Sequence, residues 1–215
     1  MSRIVLGDCL TVLPTLPDRA VDFVLTDPPY LVDYQDRTGR RIANDKGDGW
    51  LAPAFEQIHR ILRDDAFCIS FYGWSRVDRF FSAWRAAGFR VAGHIVFAKP
   101  YQSKARFLRY QHESAYLLVK GQPAMPGKPL PDVLPWKYSG NRLHPTQKPV
   151  ECLATLIETF CPSRGIVLDP FAGSGSTCVA ARQTGRRFFG IELDAMYHAA
   201  ATDRLNRIPA GRAAA

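Results

Sequence analysis

The sequence predicts an α/β domain built on an open, mostly parallel sheet. Two short strings carry that reading. Asp27-Pro28-Pro29-Tyr30 and Asp169-Pro170-Phe171-Ala172-Gly173-Ser174-Gly175-Ser176-Thr177 each follow an apolar run, Val21 to Leu25 in the first case and Gly165 to Leu168 in the second. Short apolar runs bounded by turn residues read as buried strands, so both strings fall at strand carboxyl ends. In an open parallel sheet, ligands bind in the crevice outside those ends. The third observation is size: 215 residues with 47% hydrophobic content suffice for one sizeable core, and residues 1–215 are expected to form a single domain.

Taken in order, Ile4-Val5-Leu6 reads as a short buried strand that ends at Gly7-Asp8. A brief helix or turn around Leu10 to Leu16 leads to the Val21 strand. Residues Tyr34 to Gly49 are polar and glycine-containing and read as a mobile loop, made basic by Arg37, Arg40 and Arg41. From Pro53 the spacing of Phe55, Ile58, Ile61 and Leu62 is helical, and Ala66 to Phe71 is the next strand. Val77, Phe80, Phe81 and Trp84 follow helical spacing as a core-packing stripe, with Gly88 placed to end that helix. Phe89 to Phe97 and Ala115 to Val119 look like an antiparallel pair at one sheet edge. Gly121 to Pro135, dense in Pro and Gly, reads as a surface loop. A helix carrying Leu153, Leu156, Ile157 and Phe160 precedes the Gly165 strand. The glycine bend, a helix from about Thr177 to Gln183, the strand Phe188 to Ile191 and a helix from Met196 to Ile208 follow, before a frayed Ala-rich end.

The charge balance is basic, 28 Lys+Arg against 20 Asp+Glu, for a net charge of +8. Such a surface attracts polyanions, with nucleic acid the first candidate. Five scattered cysteines with no C-x-x-C pair point to a reducing compartment, to core packing, and away from a zinc site. No leader-like start and no apolar run near the ~20 residues of a membrane span are seen. A cytoplasmic protein with no membrane partner is expected.

Strand, glycine bend and helix are the parts of a nucleotide-type cofactor site, where glycines let backbone approach the ligand and the helix offers free N–H groups. A P-loop requires a Lys that does not follow Gly175. A nicotinamide fingerprint counted from Gly173 meets Cys178 where a third small residue belongs. S-adenosylmethionine is the third candidate, because its loop opens with an acid such as Asp169. Glu192 ends the next strand, where an acid accepts hydrogen bonds from ribose hydroxyls. Asp8 ends another and can meet the adenine. Each acid alone is an ordinary loop residue; three at three strand ends form a constellation.

The Asp27 string suits an exocyclic amine on a base. That nitrogen is a poor nucleophile because its lone pair is delocalised into the ring. Accepting hydrogen bonds from both N–H groups favours a pyramidal nitrogen. The Asp27 carboxylate can accept one, the Pro28 carbonyl, held by Pro29, can accept the other, and Tyr30 can stack on the base. Such an amine is inaccessible inside a duplex, so the base must be flipped out, at roughly a few kcal/mol.

On these residues the chain resembles a beta-class amino-methyltransferase of the DNA N-6 adenine or N-4 cytosine methylase family. D-P-P-Y at 27–30, D-P-F-A-G-S-G-S-T at 169–177, G-D at 7–8, Glu192 and H-P-T-Q-K-P at 144–149 carry the resemblance, which spans Ile4 to about Leu205. It implies a Rossmann-like, S-adenosylmethionine-dependent fold with a mostly parallel seven-stranded sheet and a circularly permuted motif order. The catalytic half would cover about 1–98, a target-recognition insert about 99–142, and the cofactor half about 143–207, leaving a tail at 208–215. Pro29 and Tyr30 would complete the catalytic set of Asp27 and Pro28. Asp8, Asp27, His144, Thr146, Gln147, Lys148, Glu192 and the 169–177 loop (Asp169, Phe171, Ala172, Gly173, Ser174, Gly175, Ser176, Thr177) would hold S-adenosylmethionine. Double-stranded DNA is the implied partner. Lys99, Lys104, Arg106 and Arg109, interleaved with Tyr101, Phe107 and Tyr110, would meet its phosphates together with Arg37, Arg40 and Arg41. Asp at position 27 favours adenine, and direct in-line transfer needs no metal. The chain is short for the class, without an extended recognition domain, which makes a second copy an expected partner. A cognate restriction endonuclease is another. N-4 cytosine methylation and methylation of RNA or of a protein amide are the rival readings.

Overall fold

The computed structural model describes residues 2–35, 39, 41–101, 107–137 and 147–208. Its strands and helices run β1 (Arg3–Leu6), α1 (Cys9–Val12), β2 (Val21–Thr26), α2 (Leu51–Ile61), β3 (Leu62–Phe71), α3 (Val77–Ala86), β4 (Arg90–Ala98), β5 (His112–Lys120), β6 (Val133–Pro135), α4 (Val150–Phe160), β7 (Ile166–Asp169), α5 (Ser176–Gln183), β8 (Arg187–Glu192) and α6 (Ala195–Asn206). The strands form one sheet in the order β1-β8-β7-β2-β3-β5-β4-β6. From β1 to β3 all pairings are parallel, β5 is antiparallel to both β3 and β4, and β6 runs parallel to β4.

β2 is buried along its whole length because it is covered on both faces. Val21 and Val24 pack with α2 and α3 on one side, while Phe23 and Leu25 pack with α4 and α5 on the other. This is why its sequence is a nearly continuous apolar run rather than an alternating one. α2 turns Leu51, Ala54, Phe55, Ile58 and Ile61 inward. α4 does the same with Cys152, Leu153, Leu156 and Ile157. All five cysteines are buried, and burial pushes the Cys9 and Cys161 thiols up to about 12, so they pack as small apolar groups.

The chain leaves β2 through α2 toward β3, and leaves β7 through α5 toward β8, on the opposite side. β2 and β7 are neighbours, so the sheet reverses its direction of growth between them. That crevice is the topological switch point, and both the D-P-P-Y string and the glycine bend open into it. Gly175 caps α5 with φ +75°, and a Cβ there would come within 3.0 Å of Ala201 Cβ. Asp22 pins the junction below: its carboxylate accepts from the Ile166 amide at 2.8 Å and pairs with Arg63.

Three expectations change. Among the described residues the sheet has eight strands rather than seven, because Val133–Pro135 within the expected surface loop pairs with β4. Three residues beside prolines show no readable period. β6 also displaces the antiparallel pair from the sheet edge. β3 begins at Leu62, not Ala66: Leu62 pairs with Val21, and the exposed Arg63, Asp64 and Asp65, the last at φ +54°, form an irregularity before Phe67 pairs with Phe23. Charged residues at a strand entrance do not read as strand. Among the described residues no helix is long and apolar enough to cross a membrane.

Candidate active site

Asp27 is the first residue past β2, and each of its carboxylate oxygens accepts one hydrogen bond, leaving acceptor capacity on both. Oδ1 accepts from the Tyr30 hydroxyl at 2.8 Å, and Oδ2 accepts from Lys148 Nζ at 2.6 Å. Lys148 Nζ also donates to the Tyr30 hydroxyl at 3.1 Å, which closes a triangle. Burial pushes Asp27 up from the ordinary carboxylate range, and the Lys148 charge opposes that shift. The Tyr30 phenol is held well above its ordinary value by burial and by the Asp27 charge, so it stays protonated and donates.

Gly73 lets this turn sit where it does. A Cβ at Gly73 would lie 2.4 Å from the Tyr30 carbonyl oxygen, so β3 can approach the D-P-P-Y turn only with glycine there.

Residues 31–34, just after the D-P-P-Y turn, are held by a carboxylate that sequence reading missed. Asp45, 2% exposed, accepts from the Leu31 and Tyr34 amides, both at 2.7 Å. Trp50 donates Nε1 to the Asn44 carbonyl at 2.9 Å and packs edge-on against Phe171 at 5.0 Å. One acid among several in a polar stretch gives no sequence signal of its own. Trp50, an apolar residue ending that stretch, was the only available hint.

Across the crevice, Asp169 ends β7 and is 3% exposed. It accepts from the Phe171 amide at 3.2 Å, and burial pushes its carboxyl up to about 7. Glu192 ends β8, accepting from the Gly173 amide at 2.6 Å and the Asp194 amide at 2.8 Å. It thus braces the glycine bend as well as facing the cleft. Asp8 caps α1 by accepting from the Leu10 amide at 2.8 Å.

A single cleft is lined by Asp8, D-P-P-Y, Gln147, Lys148, most of the 169–177 loop and Glu192; Gly175 lies behind it. Among the described residues its charged lining is six carboxylates, Asp8, Asp27, Asp45, Asp169, Glu192 and Asp194, against two cations, Arg41 and Lys148. A phosphate-bearing nucleotide would be repelled there. A cationic ligand with ribose hydroxyls and an amino group suits that donor and acceptor set. His144 and Thr146 lie outside the described residues. So do Arg37, Arg40, Lys104 and Arg106.

The expected phosphate-contacting set is only partly where the sequence put it. Lys99 is turned inward, with its side chain 10% exposed; it pairs with Glu113 and lies over the rings of Tyr101 and Trp136. Its charge is already compensated by Glu113, so it leaves the exposed set. Arg41 is exposed but pairs with Asp33 at 3.0 Å. Arg109 is exposed next to Phe107 (96% exposed) and Leu108, and Tyr110 stacks on Trp74 at 5.5 Å. No cluster of three or more potential metal ligands occurs among the described residues.

The family model for DNA methylases, that of the N6/N4 methyltransferases, matches residues 21–203. The chain belongs to that family. It is 62% identical over 205 residues to "Putative methylase YubD" of Escherichia coli (strain K12), covering 95% of this chain and 90% of the relative. Among solved structures, the M1.HpyAVI–SAM complex superposes with a TM-score of 0.77 at 24% identity, covering 96% of this chain and 100% of that one. The PvuII DNA methyltransferase (cytosine-N4-specific) superposes at 0.78 with 18% identity, covering 96% and 87%. At those identities the two structures speak to the fold, which they share with this chain.

Proposed function

We propose that this DNA methylase transfers a methyl group from S-adenosylmethionine to the exocyclic N-6 amine of an adenine flipped out of duplex DNA. The observation that carries the reading is the placement of D-P-P-Y beside the glycine bend, on adjacent parallel strands, in one acid-lined cleft. Asp8, Asp169 and Glu192 stand where they can hold the cofactor's amino and hydroxyl groups. S-adenosylmethionine supplies an electrophilic methyl group on a sulfonium and departs as a neutral thioether. Asp27 accepts an amine N–H, the Pro28 carbonyl accepts the other, and Tyr30 presents its ring to the base. The protein's work is orientation and exclusion of water, worth several orders of magnitude in rate when donor and acceptor are held in line. Arg109, with Lys104 and Arg106, would meet the DNA backbone.

Incubation with labelled S-adenosylmethionine and unmethylated genomic DNA, followed by digestion to nucleosides, tests this directly. N-6-methyladenine is expected. N-4-methylcytosine would transfer the same geometry to the other amine, and label in RNA or protein alone would remove DNA as the substrate.

A further inference from the structure

The resemblance counted Lys148 among the cofactor-binding residues, yet its polar partners are the two polar side chains of D-P-P-Y. Its ammonium reaches Asp27 Oδ2 at 2.6 Å and the Tyr30 hydroxyl at 3.1 Å. It lies over the ring of Tyr30 at 5.2 Å and that of Phe71 at 4.9 Å. Lys148 is 6% exposed, so its charge is solvated by these groups rather than by water. It stands just before α4, fixed by the start of that helix, 121 residues from Asp27 in sequence. We propose that Lys148 is a positioning residue for the methyl-accepting site: it fixes the carboxylate face that receives the target amine and keeps that face anionic. The proposal rests on the amine-methylating reading given above.

The surroundings of Asp27 make such a cation necessary. Glu113, paired with Lys99, and Asp169 both face it with like charge, and burial disfavours its ionised form. The Tyr30 hydrogen bond and Lys148 oppose these effects, and Lys148 is the only one of the two that carries charge. A protonated Asp27 would present an O–H donor to an amine that needs an acceptor. Removing the cation therefore raises the pH at which Asp27 gains its proton, and activity that requires the carboxylate is lost at a higher pH than before.

The test compares Lys148→Met and Lys148→Arg in the full chain. Asp27 titration is followed by carbon NMR of labelled aspartate without cofactor, assigned with Asp27→Asn. Cofactor affinity is measured by calorimetry, and kcat on duplex DNA across pH. In Lys148→Met the Asp27 titration and the acid limb of kcat should both move up by about one pH unit or more, with kcat at neutral pH down about 100-fold. The cofactor Kd should change less than about threefold. Lys148→Arg should keep the titration near its original pH with a smaller loss of kcat. An unmoved Asp27 titration in Lys148→Met overturns the proposal. So does a tenfold or greater loss of cofactor affinity with an unmoved acid limb, which would make Lys148 a cofactor ligand. If Lys148→Met does not fold, a shifted titration in Lys148→Arg overturns it. Failure of the wild-type chain to methylate DNA would count against the parent reading, while the NMR titration still decides the role of Lys148.

Discussion

At the scale of single residues, two acids on facing loops have opposite requirements. On the proposed reading Asp27 meets the amine, so Asp27→Ala should abolish methyl transfer while leaving the cofactor Kd within about threefold of wild type. Labelled-DNA assays and calorimetry check this; near-normal methylation would remove Asp27 from the chemistry. Asp169 is raised to about 7 by burial. A carboxyl raised in the folded state favours folding below its unfolded value and loses that advantage as pH rises through about 7. Asp169→Asn should therefore raise the melting temperature of the ligand-free protein at pH 8 by a few degrees, about 1 kcal/mol. Cofactor affinity should move the other way. A cationic ligand favours the ionised acid, so wild-type affinity should weaken as pH falls below about 7, and Asp169→Asn should be both weaker and flatter with pH. A pH series of calorimetric titrations on both proteins reads these differences.

At the scale of elements, the site depends on close backbone approach. Gly73→Ala places a methyl 2.4 Å from the Tyr30 carbonyl oxygen, and the atom it meets is backbone, which cannot rotate away. The turn must shift, so kcat should fall tenfold or more, with cofactor affinity and far-UV dichroism little changed. Steady-state kinetics beside calorimetry would show it, and unchanged kcat would mean that the turn tolerates displacement. The strands that carry the motifs were legible because burial on both faces turns a strand such as Val21–Thr26 into an apolar run, and because turn residues end it sharply. Other features left no such trace. β6 is too short to show a period. The start of β3 is hidden under Arg63-Asp64-Asp65. The stretch after Tyr30 reads as polar throughout, yet Asp45 and Trp50 hold the Leu31, Tyr34 and Asn44 backbone groups, which no side-chain pattern reports. Lys99 was misread for a related reason: a cation in a basic stretch looks exposed until its partner, Glu113 on the neighbouring strand, is known.

At the scale of the whole molecule, a chain of net charge +8 encloses a cleft whose described lining carries six acids and two cations. On the proposed reading the two fields would serve different ligands, a polyanion outside and a cationic cofactor within. DNA affinity should therefore fall steeply with salt, while cofactor affinity changes little. Replacing Lys104 and Arg109 together by Gln should reduce the slope of log affinity against log salt by about two. Lys99→Met, whose charge already faces Glu113, should leave that slope unchanged. Filter binding over a salt series distinguishes these outcomes, and an unaltered slope in the double variant would place the DNA elsewhere on the surface.

The Asp22 carboxylate, which accepts from the Ile166 amide at 2.8 Å, also bears on the order in which the protein is made. β2 lies between β3, which soon follows it in the chain, and β7, which comes some 140 residues later. A ribosome that has released only the first half holds a strand with one neighbour, a bare hydrogen-bonding edge and an acid at its base that has Arg63 but not yet the Ile166 amide for a partner. Arrival of residues 166–169 covers that edge and satisfies the acid in one event. The same event brings the D-P-P-Y turn and the glycine bend side by side, so the late segment acts as the keystone of both sheet and cleft.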